Sequence, residues 1–308
     1  MTAGLLRSAL ALIGTIALAG CGGPLAPVLE FLPVSLAYGG LDVDVELARP
    51  FADRGDHVLK MDVFRPAGSV PPTPAVILVH GGFWLFGDPS GMDDWAADLA
   101  GQGYAAMSVD YRLLQEGGAY PEAVKDVLAA VGHVRRHAGE LNVDPERIAL
   151  FGVSAGAHLA LLAGMAEDAS IFDSAWPIGE SAAVRAIVDV YGPTDFTVDP
   201  ATAEPWQYLL VRAFLGADQD ADPDQWREAS PISYARPDGP AVLILHGTAD
   251  PIVPLSQAQT LRDALDAAGQ RYQYIEILGA SHFWGSAWPS PVPQSQRSGI
   301  LSFLAENL

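Results

Sequence analysis

Short apolar runs alternate along this chain with stretches in which apolar residues recur every three or four positions, a rhythm that predicts strands and helices in turn. Ala75–His80, Tyr104–Asp110, Ile148–Phe151, Val184–Tyr191, Ala241–His246 and Gln270–Leu278 read as strands. The first is an unbroken apolar run and reads as buried on both faces. Asp93–Gln102, Glu122–Ala138, the Ala- and Leu-rich stretch after Ser154, Leu255–Ala268 and Gln294–Glu306 read as helices, with Pro121 at the first helical position of the second. Ahead of them, Leu41–Leu47 and part of His57–Phe64 alternate apolar with polar, which predicts an antiparallel hairpin. Strands alternating with helices imply a mostly parallel sheet covered on both faces, the α/β class. Residues 193–240 break the rhythm. They carry Trp206, Tyr208, Leu209, Phe214 and Trp226 and read as a long irregular lid insertion.

The N-terminus follows a different pattern. Arg7 is followed by an uncharged run from Ser8 to Gly20, too short and too rich in small residues for a membrane span, so residues 1–20 read as a secretory signal. Its end, Leu18-Ala19-Gly20-Cys21, resembles the lipobox of bacterial lipoproteins, which implies that Cys21 is acylated and becomes the mature N-terminus. Several acyl chains anchor firmly where one holds only marginally. The expectation is a protein tied to a bacterial membrane on its periplasmic or cell-surface side, with the Gly- and Pro-rich residues 21–40 as a tether and 41–308 as the folded domain.

Composition narrows the function. At 308 residues, 50% hydrophobic and 18% charged, the chain can bury a large core. With 37 acidic against 17 basic residues the net charge is -20, which repels nucleic acid and argues against a DNA- or RNA-binding role. Cys21 is the single cysteine and the seven histidines lack H-E-x-x-H spacing, so neither a disulfide nor a metal site is indicated.

The chemistry gathers at strand ends. Ile148–Phe151 runs into Gly152-Val153-Ser154-Ala155-Gly156 and then the Ala- and Leu-rich helix. G-x-S-x-G alone is a weak pattern. A strand before it and a helix after it turn it into a nucleophile elbow, with the serine hydroxyl thrust above the sheet edge. Two more strands end in Gly247-Thr248-Ala249-Asp250 and Gly279-Ala280-Ser281-His282, giving the chain order Ser154, Asp250, His282. A serine needs an imidazole to take its proton and a carboxylate to orient that imidazole, and this order is the one that α/β-hydrolases use. Asp195 is a rival for the carboxylate, although it opens the long insertion. Ala75–His80 ends in His80-Gly81-Gly82-Phe83-Trp84, where free backbone amides of Gly82 and Phe83, with that of Ala155, would hold an oxyanion. His158, one turn down the helix from Ser154, reads as structural. His80 and His246 read as hydrogen-bonded strand-end residues, and Arg112 as packed on the following helix and paired with Asp126.

These pieces, with DYRL (110–113), YPEAVKDV (120–127), NVDPERIALFGVSAGAHLA (142–160), VYGPTDF (190–196), SPISY (230–234), LHGTADPIVP (245–254) and GASHFW (279–284), resemble α/β-hydrolases of the carboxylesterase and hormone-sensitive-lipase type. The small bacterial feruloyl-esterase-like (BD-FAE-like) serine esterases are the nearest in pattern. The resemblance spans about residues 41–308 and implies an α/β-hydrolase fold and a serine esterase of short-chain or aryl esters, working without a cofactor. Phe83 replaces the third glycine of the usual H-G-G-G, and the segment before the first strand is too short for a helical N-terminal cap. H-G-G-x-W also resembles arylformamidases, so a formamidase, a peptidase or an idle hydrolase-like binding protein stands as an alternative. Trp84, Trp206, Phe214 and Trp284 are candidate substrate contacts, although the lid aromatics read first as a small core of their own.

Overall fold

The computed structural model describes residues 42–68, 72–166, 169–172, 181–199, 204–282 and 294–308. The expected signal, tether, Cys21 and Trp284 lie outside the described residues. The strands are β1 (Val43–Asp53), β2 (Val58–Pro66), β3 (Thr73–Val79), β4 (Ala105–Val109), β5 (Val143–Val153), β6 (Ala186–Val190), β7 (Ala241–Gly247) and β8 (Tyr272–Ile277). They form one sheet in the order β1-β2-β4-β3-β5-β6-β7-β8. β1 and β2 make the expected hairpin, and β2 is antiparallel to β4. Every other pairing in the sheet is parallel. β1 outruns the alternation seen in the sequence, because a register shift between Glu46 and Arg49 interrupts the period without ending the strand.

The helices are α1 (Asp93–Gly101), α2 (Glu122–Arg136), α3 (Ala138–Leu141), α4 (Ala155–Met165), α5 (Pro205–Leu215), α6 (Pro223–Glu228), α7 (Leu255–Ala268) and α8 (Gln294–Asn307). They cover both faces of the sheet. Ala75, Ile77 and Val79 of β3 point into a core shared with α2, α4 and α7, while Val76 and Leu78 point into a second core shared with α1 and α8. All five are fully buried, and burying a Val or Ile side chain stabilises the fold by about 1.5–3 kcal/mol. α4 is buried on every side, which is why its sequence is apolar all round instead of striped.

Two expectations need correction. Pro121 stands one position before the helix, as its N-cap, because its φ of -92° and ψ of 7° are not helical. The insertion is not irregular: α5 and α6 each begin with proline, after Glu204 and Asp222 as N-caps, and α5 stops at Gly216 in a left-handed conformation. Leu210, Ala213 and Phe214 of α5 join the first core. Among the described residues no helix is long and apolar enough to cross a membrane.

In a parallel sheet the carboxyl ends of the strands share one edge, and loops leaving that edge converge. β3, β5, β7 and β8 deliver the HGGFW turn, Ser154, Asp250 and His282 to it.

Candidate active site

The turn after β5 is built by two close approaches. A Cβ on Gly152 would lie 2.3 Å from the Gly156 carbonyl oxygen, and one on Gly156 would lie 2.2 Å from that of Val79, so only glycine lets strand and helix meet here. Between them Ser154 is held at φ 54° and ψ -121°, a strained region for a residue with a side chain, and its amide is tied to the Val190 carbonyl at 2.9 Å. That conformation aims the hydroxyl out of the sheet edge.

His282 Nε2 stands 2.9 Å from Ser154 Oγ, and His282 Nδ1 stands 2.7 Å from Asp250 Oδ2. With Nδ1–H donating to the carboxylate, Nε2 is left as the acceptor for the serine O–H. The other oxygen of Asp250 accepts the amides of Ile252 and Val253 at 2.8 and 2.9 Å. Burial would raise this carboxyl, but hydrogen bonds from His246 and His282 and the nearby imidazole charge outweigh it and hold Asp250 well below the ordinary carboxylate range. Asp195 is engaged elsewhere: it accepts from the Thr197 amide and hydroxyl at 2.8 and 2.6 Å. Tyr191, with φ 47°, packs its ring 4.5 Å from that of His282. The sequence reading missed Tyr191, Ile252 and Val253; the D-P-I-V turn was a signal for the last two, because aspartate side chains commonly accept amides two residues on.

The HGGFW turn presents three consecutive left-handed residues, Gly82, Phe83 and Trp84, at φ 127°, 60° and 59°. The Gly82 carbonyl accepts from the amides of both Leu85 and Phe86 at 2.9 Å, closing the turn so tightly that a Cβ on Gly82 would lie 1.9 Å from the Phe86 oxygen. Among the described residues the amides of Gly82, Phe83 and Ala155 have no backbone acceptor. They flank Ser154 as free donors.

Two cavities meet at Ser154 and Phe83. The larger, 320 Å³, is lined by Trp84, Ala155, Trp206, Tyr208 and Trp226 among others; the smaller, 200 Å³, is lined by Gly81, Gly82, Asp88, Met92, Tyr191 and His282. Trp206 and Trp84 line the larger cavity. Phe214 does not: it is fully buried behind the wall, stacked on Trp84 at 4.6 Å. Trp226 is mostly core, its indole N–H donating to the Ala217 carbonyl at 3.1 Å.

Three other histidines lie around this site, none of them in reach of Ser154 as a base. His158 is buried, its Nε2 bonded to the Ala229 carbonyl at 2.8 Å, and burial pulls it down to about 4, so it stays neutral. His80 and His246 are only half satisfied: one nitrogen of each is bonded, at 2.8 Å to the Gly81 and Val253 carbonyls respectively, while the other has no partner among the described residues. Arg112 holds Asp126 as expected, through Nε and Nη2 at 2.8 and 2.9 Å.

Comparison with known proteins agrees with this geometry. The BD-FAE family matches over residues 61–265. Esterase LipC of Mycobacterium tuberculosis is 32% identical over 216 residues, 68% of this chain and 53% of that protein. The chain spans about half the length of the curated relatives it matches. Among solved structures, the propionate-bound thermophilic esterase Est2 of Thermogutta terrifontis superposes with a TM-score of 0.72 at 26% identity, covering 86% of this chain and 94% of that one. A truncated carbohydrate esterase from gut microbiota gives 0.73 at 25% identity, covering 86% and 96%. With that family match across most of the folded domain, and with its sheet and elbow in the arrangement described, the chain belongs to the BD-FAE family and has the α/β-hydrolase fold.

Proposed function

We propose that this protein is a serine esterase that cleaves short-chain or aryl carboxylic esters through an acyl-enzyme. The observation that carries the reading is the unbroken line from Ser154 Oγ to His282 Nε2 at 2.9 Å and from His282 Nδ1 to Asp250 at 2.7 Å, beside three free amides. Ser154 Oγ attacks the ester carbonyl as its proton passes to His282 Nε2. The developing oxyanion is held by the amides of Gly82, Phe83 and Ala155, and loss of one such donor typically costs about 10²–10³ in turnover. His282 then gives its proton to the departing alkoxide, and a water activated by His282 releases the acid. Asp250 stays ionised throughout and fixes the tautomer of His282.

The relatives support ester chemistry, since LipC and the Thermogutta terrifontis protein are esterases. Amide and N-formyl substrates use the same attack, so assay separates them: aryl acetates, feruloyl esters, a dipeptide amide and N-formylkynurenine, each against wild type and Ser154→Ala. Ester turnover that vanishes with Ser154 is the expected result. Turnover of only the amide or formyl substrate would replace the esterase reading.

Leu18-Ala19-Gly20-Cys21 supports lipidation at Cys21 and work on the outer side of a bacterial membrane. Trp84 and Trp206 belong to the substrate pocket in this account, as residues lining the larger cavity.

A further inference from the structure

His246 is the penultimate residue of β7, with its side chain fully buried. Its Nε2 lies 2.8 Å from the Val253 carbonyl and 3.4 Å from Asp250 Oδ2. Both of those oxygens only accept, so Nε2 carries the proton, donating to the Val253 carbonyl with Asp250 Oδ2 as a second, longer acceptor. Asp250 Oδ2 is the same oxygen that accepts from His282 Nδ1 at 2.7 Å, while Oδ1 is already taken by the two amides of the following turn. One carboxylate oxygen therefore serves two imidazoles, one leading to Ser154 and one behind it.

We propose that His246 is a positioning residue that acts through Asp250: by drawing on the oxygen that His282 also uses, it weakens the hold of Asp250 on protonated His282 and keeps His282 available as a base at lower pH. The proposal rests on the reading of Ser154, Asp250 and His282 as a triad. A donor to a carboxylate takes up part of its negative charge, so a second donor on Oδ2 leaves less of that charge to stabilise an imidazolium. Both side chains of the His246–Asp250 pair are fully buried, where such competition is little screened. The two amides on Oδ1 keep Asp250 in place when His246 is changed.

The titratable groups facing His246 are Asp250 on its own loop, His282 beyond β8, Asp189 on β6 and Glu276 on β8. Burial pushes Asp189 up to about 7, so below that pH it is largely neutral and adds little charge. Glu276 is held below the usual range, chiefly by the Tyr274 hydroxyl.

The test is kcat/KM for an aryl acetate over roughly pH 4 to 9, the range that brackets histidine titration, in wild type, His246→Leu, His246→Gln and Asp189→Asn. His246→Leu should move the acid limb upward by about half to one pH unit, read as a three- to tenfold loss on the limb that largely disappears above it. His246→Gln, whose amide N–H reaches a similar distance from the backbone, should restore the limb, and Asp189→Asn should leave it in place. A limb unmoved in the leucine variant, or moved equally by leucine and glutamine, overturns the proposal. Wild type supplies a second test that needs no variant. When an organophosphonate on Ser154 traps His282 as imidazolium, the nitrogen and proton signals of His246 Nε2–H should shift as His282 draws harder on the shared oxygen. Signals that stay put overturn the proposal, whereas a reagent that never labels Ser154 overturns the triad reading beneath it.

Discussion

At Ser154 the strained backbone is maintained by neighbours that do not depend on the hydroxyl: the Gly152 and Gly156 approaches and the amide bond to Val190 remain when the side chain is shortened. Ser154→Ala should therefore leave the melting temperature near wild type while lowering ester turnover by about 10³-fold or more. Asp250→Asn keeps the shape but offers His282 an N–H in place of an acceptor, and a fall on the order of 10⁴ is the precedent for that change. Asp195→Asn should cost far less, because Asp195 is bonded to Thr197 instead. Parallel kinetics on the two variants check this, and an Asp195 variant that fell further than the Asp250 variant would reverse the assignment. Asp250 also bears on stability. Its folded carboxyl is held below the ordinary range, so the stabilisation is present above about pH 4 and is lost as pH falls further. At this scale the sequence was most legible, since G-x-S-x-G, H-G-T-A-D and G-A-S-H carry their chemistry in a few adjacent residues. The sharing of Asp250 by His246 was not, because a strand-end histidine looks the same in sequence whichever oxygen it meets.

β6 brings a fully buried carboxyl group, Asp189, into the apolar centre of the sheet; one oxygen accepts the Gly192 amide at 2.8 Å and the other has no partner among the described residues. Burial raises its titration to about 7. A carboxyl raised on folding destabilises the native state increasingly as pH climbs from about 4 through that value. Between roughly pH 5 and 8 wild type should lose about 2–3 kcal/mol relative to Asp189→Asn, measured by urea unfolding at each pH. Equal pH dependence in the two proteins would show that Asp189 is not raised. In α5, Phe214→Ala should destabilise by about 3–5 kcal/mol, whereas Trp206→Ala should change the ratio of kcat/KM between short and aryl esters. A uniform loss across substrates for Trp206→Ala would mark it as packing only. The sequence displayed both aromatics but not their faces. They stand eight positions apart, roughly 80° around the helix axis, enough to put one on the cavity wall and the other in the core. The helices themselves were missed because the 193–240 stretch is broken by prolines and glycines, three of which, Pro205, Gly216 and Pro223, turn out to mark helix ends.

For the whole molecule, the run of apolar segments was enough to show an α/β sheet, because strands buried on both faces leave an unmistakable pattern. Strand order was not legible from periodicity, since β4 lies between β2 and β3 only through long-range pairing. The proposed anchor is testable at this scale. Cys21→Ala should move the protein from the detergent to the aqueous phase on partitioning, or leave it as an unprocessed precursor, and mass spectrometry of an unmodified mature N-terminus elsewhere would refute lipidation. The central claim, that Ser154 carries an acyl group in turnover, is tested most directly by acid-quenching the enzyme within its first turnovers of an aryl acetate and mapping the product by peptide mass spectrometry. The account predicts one added acetyl group on the peptide containing Ser154, absent in Ser154→Ala. Active enzyme with no acetyl at Ser154, or with acetyl on another residue, would contradict it.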